Sequence, residues 1–245
     1  MFIKYSIRLC LRVVIFLSVF YVYLFYRPLA ESFIDFKLFG PLTPLHLLWA
    51  VLMGGMLLHL LPKTRITMSG RKRLASTYQA PEQPYDRLEL LEYVQSMNMR
   101  AWRVMLCWLL LNSVVAALYL LNVIGVAEIF LLTIFYFASD LVCMLIFCPF
   151  QTLIMKNRCC VNCRVFDWGH FMMYTPMLLI KSFFSWSLFF TACILLIRWE
   201  FIYARHPERF WRGSNATIRC ENCQDKICQI KKPLRAVFTD KEADN

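Results

Sequence analysis

Six of the eleven cysteines lie in two polar segments at a spacing that suits a metal ion. Each segment contains two cysteines separated by two residues, and that spacing lets both thiolates bind one ion across a tight turn. Two such pairs brought together complete the tetrahedral sulfur site that Zn²⁺ and iron–sulfur chemistry favour. The sequence therefore predicts one thiolate metal site with four ligands: Cys160, Cys163, Cys220 and Cys223.

Three further residues accompany this predicted site. Cys159 and Cys228 are alternate ligands, or additional ligands of a cluster. His170 is a candidate ligand beside Cys163, or a hydrogen-bonding partner of one. We expect zinc as the metal, in a site that pins the tail of the chain to a loop, with an iron–sulfur cluster as the alternative. Disulfide bonds among the three tail cysteines are the competing interpretation if the tail faces an oxidising compartment.

The histidines offer a second kind of chemistry. His59 and His170 are both expected near the same membrane face, so they are candidate axial ligands of a haem. The simpler interpretation is that each one forms hydrogen bonds at the membrane interface. The sequence thus leaves an electron-transfer role open without requiring it.

Asp140 is a charged residue inside an apolar run, and intramembrane charges are functional hypotheses by default. Counted along the predicted spans, Lys181 lies at a similar depth, so we predict that the two residues pair. Such a pair either orients the helices or relays protons or ions in a transporter or channel.

Other motifs point to no enzyme class. The chain has no phosphate-binding glycine loop, no zinc-protease helix motif and no nucleophile elbow. Asn215-Ala216-Thr217 fits the glycosylation acceptor pattern, which matters only if the tail is lumenal. We therefore do not predict an enzyme.

The composition and hydropathy of the chain predict the helices that must position these cysteine, histidine and charged residues. Hydrophobic residues make up 59% of the chain, charged residues 18%, and the mean hydropathy is +0.51, well beyond a soluble domain. Uncharged runs near the roughly 20 residues that a spanning helix needs indicate an all-α polytopic membrane protein. Four spans are predicted at about 10–26, 44–62, 102–122 and 125–148, and a fifth apolar stretch covers 171–203.

The charges set the expected orientation. Lys and Arg outnumber Asp and Glu by 27 to 16, and they cluster beside apolar runs, which favours a lipid bilayer over nucleic acid as the partner. The loop 63–101 is strongly basic and is expected to be cytoplasmic, which places the N-terminus in the cytoplasm. We expect a plasma or inner membrane protein with a membrane domain at 1–204 and a basic, cysteine-containing tail at 205–245.

The fifth stretch has two solutions. A single crossing leaves the basic tail outside, whereas a re-entrant hairpin that breaks near Pro176 returns it to the cytoplasmic side. Irregular backbone at membrane depth must be covered by protein, which favours the crossing. The basic tail and the shared cysteine site favour the hairpin.

The leading functional hypothesis is a zinc-stabilised membrane scaffold that presents a cytoplasmic platform to a protein partner. Two alternatives come from other classes. One is an iron–sulfur electron-transfer protein, and the other is a transporter or channel that uses Asp140 and Lys181.

Overall fold

The computed structural model describes residues 2–26, 44–60, 78–81, 84–157, 163–219 and 222. Within these ranges the secondary structure is helical. The α-helices are α1 (Phe2–Phe25), α2 (Pro44–Leu60), α3 (Arg87–Leu120), α4 (Val126–Leu145), α5 (Gly169–Tyr174) and α6 (Phe183–Arg205). Short elements connect or follow them: a π-helical turn at Phe150–Ile154 and 3₁₀ turns at Arg164–Trp168, Pro176–Leu179, Pro207–Arg209 and Ala216–Ile218.

In the described part of the chain, four helices are long and apolar enough to cross a membrane, namely α1, α3, α4 and α6. The predicted all-helical polytopic fold is therefore confirmed, but one of its spans differs. The second predicted span corresponds to α2, a shorter apolar helix of 17 residues. Pro44 occupies the first position of this helix, where proline is tolerated.

Helix α3 joins a polar segment and a membrane span without a break. Its start is capped by Asp86, whose Oδ1 accepts a hydrogen bond from the Leu88 amide at 2.8 Å. With 34 residues the helix is about 50 Å long, which exceeds the roughly 30 Å hydrocarbon core. At its other end Asn122 adopts a left-handed φ of 58°, which asparagine tolerates, and the chain turns into α4.

Helix α1 runs antiparallel to α4. Arg12 faces Asp140, while eleven residues later Tyr23 Oη donates a hydrogen bond to Glu128 Oε1 at 2.6 Å. Between these contacts the rings of Phe16 and Phe135 lie 5.6 Å apart. The pairing is therefore maintained along most of both helices.

The fifth apolar stretch folds as a hairpin. Pro176 has no amide hydrogen to continue α5, and the backbone becomes extended around Ile180 before α6 begins. Residues 164–179 then run antiparallel to α6, because the Phe171 and Phe189 rings lie 6.1 Å apart and Trp186 Nε1 donates to the Leu178 carbonyl at 3.3 Å. We call residues 164–205 the C-terminal hairpin.

Protein covers the irregular leg of this hairpin. Tyr174, Pro176 and Met177 are buried in a core formed with α2, α4 and α6. Backbone that is irregular at membrane depth is tolerated under such cover, so the objection to a re-entrant segment is removed. The hairpin, one of the two solutions that the sequence leaves open, is the one the structure adopts.

Helix α2 lies parallel to α6. Trp49 Nε1 donates to Ser187 Oγ at 2.8 Å, and Arg198 donates to the Leu60 carbonyl farther along both helices. Leu60 and both ends of the C-terminal hairpin therefore lie at one end of the bundle, which we call the basal end. The opposite end, the turn end, holds the turn at 121–125 and the break at 180–182.

This topology makes a direct prediction about accessibility. In a background with serine at the native cysteines, Asn157→Cys and Asn222→Cys should react with a membrane-impermeant thiol reagent from the same side, since both positions lie at the basal end. Asn122→Cys, at the turn end, is the control and should react only from the other side. Labelling of positions 157 and 222 from opposite sides would contradict the hairpin.

Candidate functional site

One ion pair and its hydrogen bonds close the base of the C-terminal hairpin. Arg164 Nε donates to Glu200 Oε1 at 3.0 Å, and Arg164 Nη2 donates to the second carboxylate oxygen. Trp168 Nε1 donates to Glu200 Oε1 at 2.8 Å, and Asn98 Oδ1 on α3 accepts from Arg164 Nη1. The Arg164 guanidinium also lies 4.2 Å from the ring centre of Tyr203. We call this group the basal latch.

The latch joins three parts of the chain in a mostly desolvated place. The Arg164 and Glu200 side chains are 16% and 28% exposed, so solvent screens the pair less than it screens a surface pair. The two-point contact between guanidinium and carboxylate also fixes direction, which a lysine would not do. The latch therefore sets the register between the hairpin leg, α6 and α3.

The latch positions Cys163, which directly precedes Arg164. Cys163 is 4% exposed and packs in a cluster with Val104, Met155 and Trp168. Of the six cysteines in the predicted metal site it is the one that the structure describes. The predicted ligands Cys160, Cys220 and Cys223, and the alternates Cys159 and Cys228, lie outside the described residues.

The chain beyond α6 folds into a compact unit, residues 206–219, which we call the C-terminal knob. Ser214 and Asn215 are fully buried. Ser214 Oγ donates to the Glu208 carbonyl at 2.6 Å, and Asn215 Nδ2 donates to the Arg209 carbonyl at 2.8 Å. In turn Asn215 Oδ1 accepts from the amide and hydroxyl of Thr217. The asparagine of the glycosylation pattern is thus an interior hydrogen-bonding residue of a folded turn.

The knob packs against the first turns of α3. The Trp211 ring lies 6.2 Å from Tyr85 and 6.3 Å from Tyr93. The Ala216 amide also donates to the Gln79 carbonyl at 3.0 Å. The knob therefore fixes Arg219, directly before the second cysteine group, at the basal end.

The described residues next to both cysteine groups thus lie at the same end of the bundle. Asn222, between Cys220 and Cys223 in sequence, donates from Nδ2 to the Ala216 carbonyl at 3.0 Å and stays beside the knob. Cys163 is held at the basal latch at that same end. Within the described ranges, no group of three or more His, Cys, Asp or Glu side chains is arranged to hold a metal ion.

The two histidines proposed as haem ligands meet, but in a different geometry. The His59 and His170 rings are 5.0 Å apart at their centres, with planes at 82°. Axial ligands must lie on opposite faces of a macrocycle, and rings in edge contact leave no room for one. The arrangement does not fit a haem between these rings. It also turns His170 toward α2, where it contacts His59.

Asp140 pairs with Arg12 rather than with Lys181. Arg12 Nη1 lies 3.0 Å from Asp140 Oδ2 and 2.9 Å from the Phe137 carbonyl, and the guanidinium lies 4.0 Å from the Phe137 ring centre. Lys181 is exposed at the turn end, a consequence of the hairpin that a single crossing would not produce. The predicted Asp140–Lys181 pair is therefore wrong.

Arg12 was available in the sequence as a partner, but it resembled a cation flanking a span. Helix α1 begins at Phe2, so Arg12 lies inside the helix instead of before it. Its interactions with Asp140 and with the carbonyl and ring of Phe137 join α1 to α4 at one level. The arrangement is that of an anchor between two helices.

Substitution of Gly169 tests the interaction between Arg12 and Asp140. A Cβ added at Gly169 would lie 2.8 Å from Asp140 Oδ1, so Gly169→Ala must shift the carboxylate that Arg12 contacts through Oδ2. We expect the free energy of unfolding to fall by about 1–3 kcal/mol, measured by denaturant titration in mixed micelles. The matched control is Gly54→Ala, which has open space around the added Cβ and should be neutral or slightly stabilising. Equal effects of the two substitutions would contradict the close approach.

Glu200→Ala should be the more damaging change at the basal latch. It removes the acceptor of both Arg164 and Trp168 and leaves the guanidinium without its counter-ion, so we expect a loss of about 2–3 kcal/mol in the same unfolding measurement. Glu92→Ala, on the exposed surface of α3, is the control and should change stability by less than about 0.5 kcal/mol. A similarly small effect of Glu200→Ala would show that the latch does not hold the hairpin.

Comparison with known proteins adds no further assignment. Protein-family models, curated proteins and solved structures give no match to this chain. Functional conclusions therefore rest on the arrangement of its own residues.

Proposed function

We propose that this protein is a membrane-embedded scaffold in which one zinc ion joins its two cysteine groups at the basal end. The observation that carries the proposal is the C-terminal hairpin. It brings Cys163 and the residues flanking Cys220 to the same end of the bundle, the condition that a shared site requires. A single crossing would have separated the two groups by the thickness of the bilayer.

The residues present suit a structural zinc site. Four thiolates, two from each pair, would hold the ion, and the fixed position of Cys163 reduces the entropy lost when the site closes. The ion would supply a tetrahedral cross-link with no open position for a substrate. Its effect would be to tie the loop before Cys163 to the chain after the C-terminal knob.

The first turns of α3 supply the surface for a partner. Leu88 and Leu91 are 70% and 62% exposed beside the acidic residues Glu89 and Glu92. Exposed apolar side chains with a charged rim are typical of protein interaction sites. We propose that these turns, held by the knob, contact a protein partner on the cytoplasmic side. That orientation is supported by the basic loop 63–101.

The two alternative functions have weaker support. An iron–sulfur cluster would use the same cysteines, so only the identity of the metal distinguishes it. A transporter would need Asp140 to change its charge or partner during a cycle. The interactions of Arg12 with Asp140 and Phe137 support a structural role instead.

Elemental analysis with an absorption spectrum, on protein purified anaerobically, tests the proposal. We expect about one zinc per chain, the occupancy of a single four-thiolate site, and no visible absorption. The zinc should be lost when Cys160, Cys163, Cys220 and Cys223 are all changed to Ser.

A matched control replaces four cysteines of the apolar runs with Ser and should keep its zinc: Cys10, Cys107, Cys143 and Cys193. Iron with visible absorption would support the redox alternative instead. Protein without metal, or zinc that survives the first set of substitutions, would refute the shared site.

A further inference from the structure

A basic cavity at the basal end is not used by the proposed function. It has a volume of about 480 Å³ and opens between α3 and the π-helical turn that follows α4. Three cationic and three less polar side chains line it: Arg100, Arg103, Lys156, Cys107, Leu153 and Ile154. None of these described lining residues is acidic.

No acidic side chain among the described lining residues balances the positive charge of these three cations. Three positive groups around one cavity repel each other, so an anion that enters it gains attraction from all three. By contrast, Arg12 and Arg164 each face a carboxylate, that of Asp140 and that of Glu200, so their charges are neutralised within the bundle. The cavity therefore favours an anionic ligand.

Hydrogen bonds hold the loop that carries Lys156 in a defined conformation. Lys156 has a φ of 48°, a left-handed conformation that is unfavourable for a side chain with a Cβ. The buried Gln151 holds it there, because its side chain donates to the Asn157 carbonyl at 3.0 Å and its own carbonyl accepts from the Asn157 amide at 3.1 Å. Arg100 Nη1 donates to the Met155 carbonyl at 3.0 Å and fixes the loop to α3.

The cavity lies beside the boundary between the polar and the apolar half of α3, the level at which lipid headgroups meet a spanning helix. Arg100 and Arg103 lie where the polar first half of α3 gives way to its apolar half. Cys107 is one turn farther toward the apolar half, and Leu153 is 68% exposed at the cavity wall. A ligand with a negative head and hydrocarbon chains matches this order of side chains better than a free ion does.

We propose that this cavity binds an anionic phospholipid, with its phosphate between Arg103 and Lys156 and its acyl chains along Cys107 and Leu153. None of the described residues that line the cavity is a ligand of the proposed zinc site, so lipid binding there does not require zinc. A lipid bound there would also fix the height of α3, and hence of the C-terminal knob, relative to the membrane surface.

Native mass spectrometry of delipidated protein in detergent, titrated with phosphatidylglycerol or phosphatidylcholine, tests the proposal. The parent should bind one phosphatidylglycerol in preference to phosphatidylcholine. Because each interfacial cation contributes about a fivefold gain in affinity for an anionic lipid, Arg103→Gln with Lys156→Gln should weaken phosphatidylglycerol binding ~25-fold. Phosphatidylcholine binding should not change.

The matched control removes two exposed cations outside the cavity, with Arg87→Gln and Arg205→Gln, and should bind phosphatidylglycerol as the parent does. Equal binding by the parent and the cavity variant would overturn the proposal. An equal loss in the control would also overturn it, since general charge attraction would then account for the binding. Binding of inorganic phosphate without a preference for phosphatidylglycerol would identify a free-anion site and would equally overturn it.

A second variant separates binding from folding. Lys156→Gly removes the cation and also relieves the positive φ, so the protein should melt at the same or a higher temperature while its affinity for phosphatidylglycerol falls about fivefold. Unchanged affinity in this variant would show that Lys156 does not contact the lipid, and would overturn the proposed position of the phosphate.

Discussion

The arrangement of this protein depends on the ion pair between Arg164 and Glu200. A chain that enters a membrane and returns must cover its own irregular backbone, because lipid offers no hydrogen bonds to unsatisfied groups. The hairpin leg does so by packing Tyr174 and Met177 against α2, α4 and α6. The latch closes the base of that hairpin, and its two-point geometry fixes which residues of the leg face α6.

Two consequences follow at the basal end. The first is that chain segments far apart in sequence, those around Cys163 and Arg219, share one side of the bundle. The second is that the end of α6 continues into a folded knob, which packs on α3 through Trp211. A protein with few polar residues thereby builds a substantial structure outside the apolar core, and that structure is where a zinc clip and a partner surface are proposed.

The many cations of the chain divide into groups with different physical roles. Arg12, Arg164 and Arg198 have acceptors within the bundle: a carboxylate with a carbonyl for the first, a carboxylate for the second and a carbonyl for the third. These cations hold helices together. Arg103 and Lys156 line an open cavity whose described residues include no carboxylate, so their charges are not neutralised there, and this is why an anionic lipid is proposed. The net charge of the chain does not distinguish the cations that join helices from those that line the cavity.

The amino-acid sequence determined the fold class and most of the spans. The length and hydropathy of an apolar run are local properties, and they decide whether the run can cross the hydrocarbon core of a bilayer. The sequence also indicated the break near Pro176, since proline cannot continue a helix hydrogen-bond ladder. Only the tertiary structure decided the partners of the charged residues. Asp140 pairs with Arg12, and Arg164 pairs with Glu200, because tertiary packing brings together segments that are not neighbours in the sequence. The predicted partner of Lys181 was wrong because the position of this residue depends on whether residues 171–203 cross the membrane once or form a hairpin. That choice depends on how other helices cover the irregular segment, and no local sequence pattern encodes it.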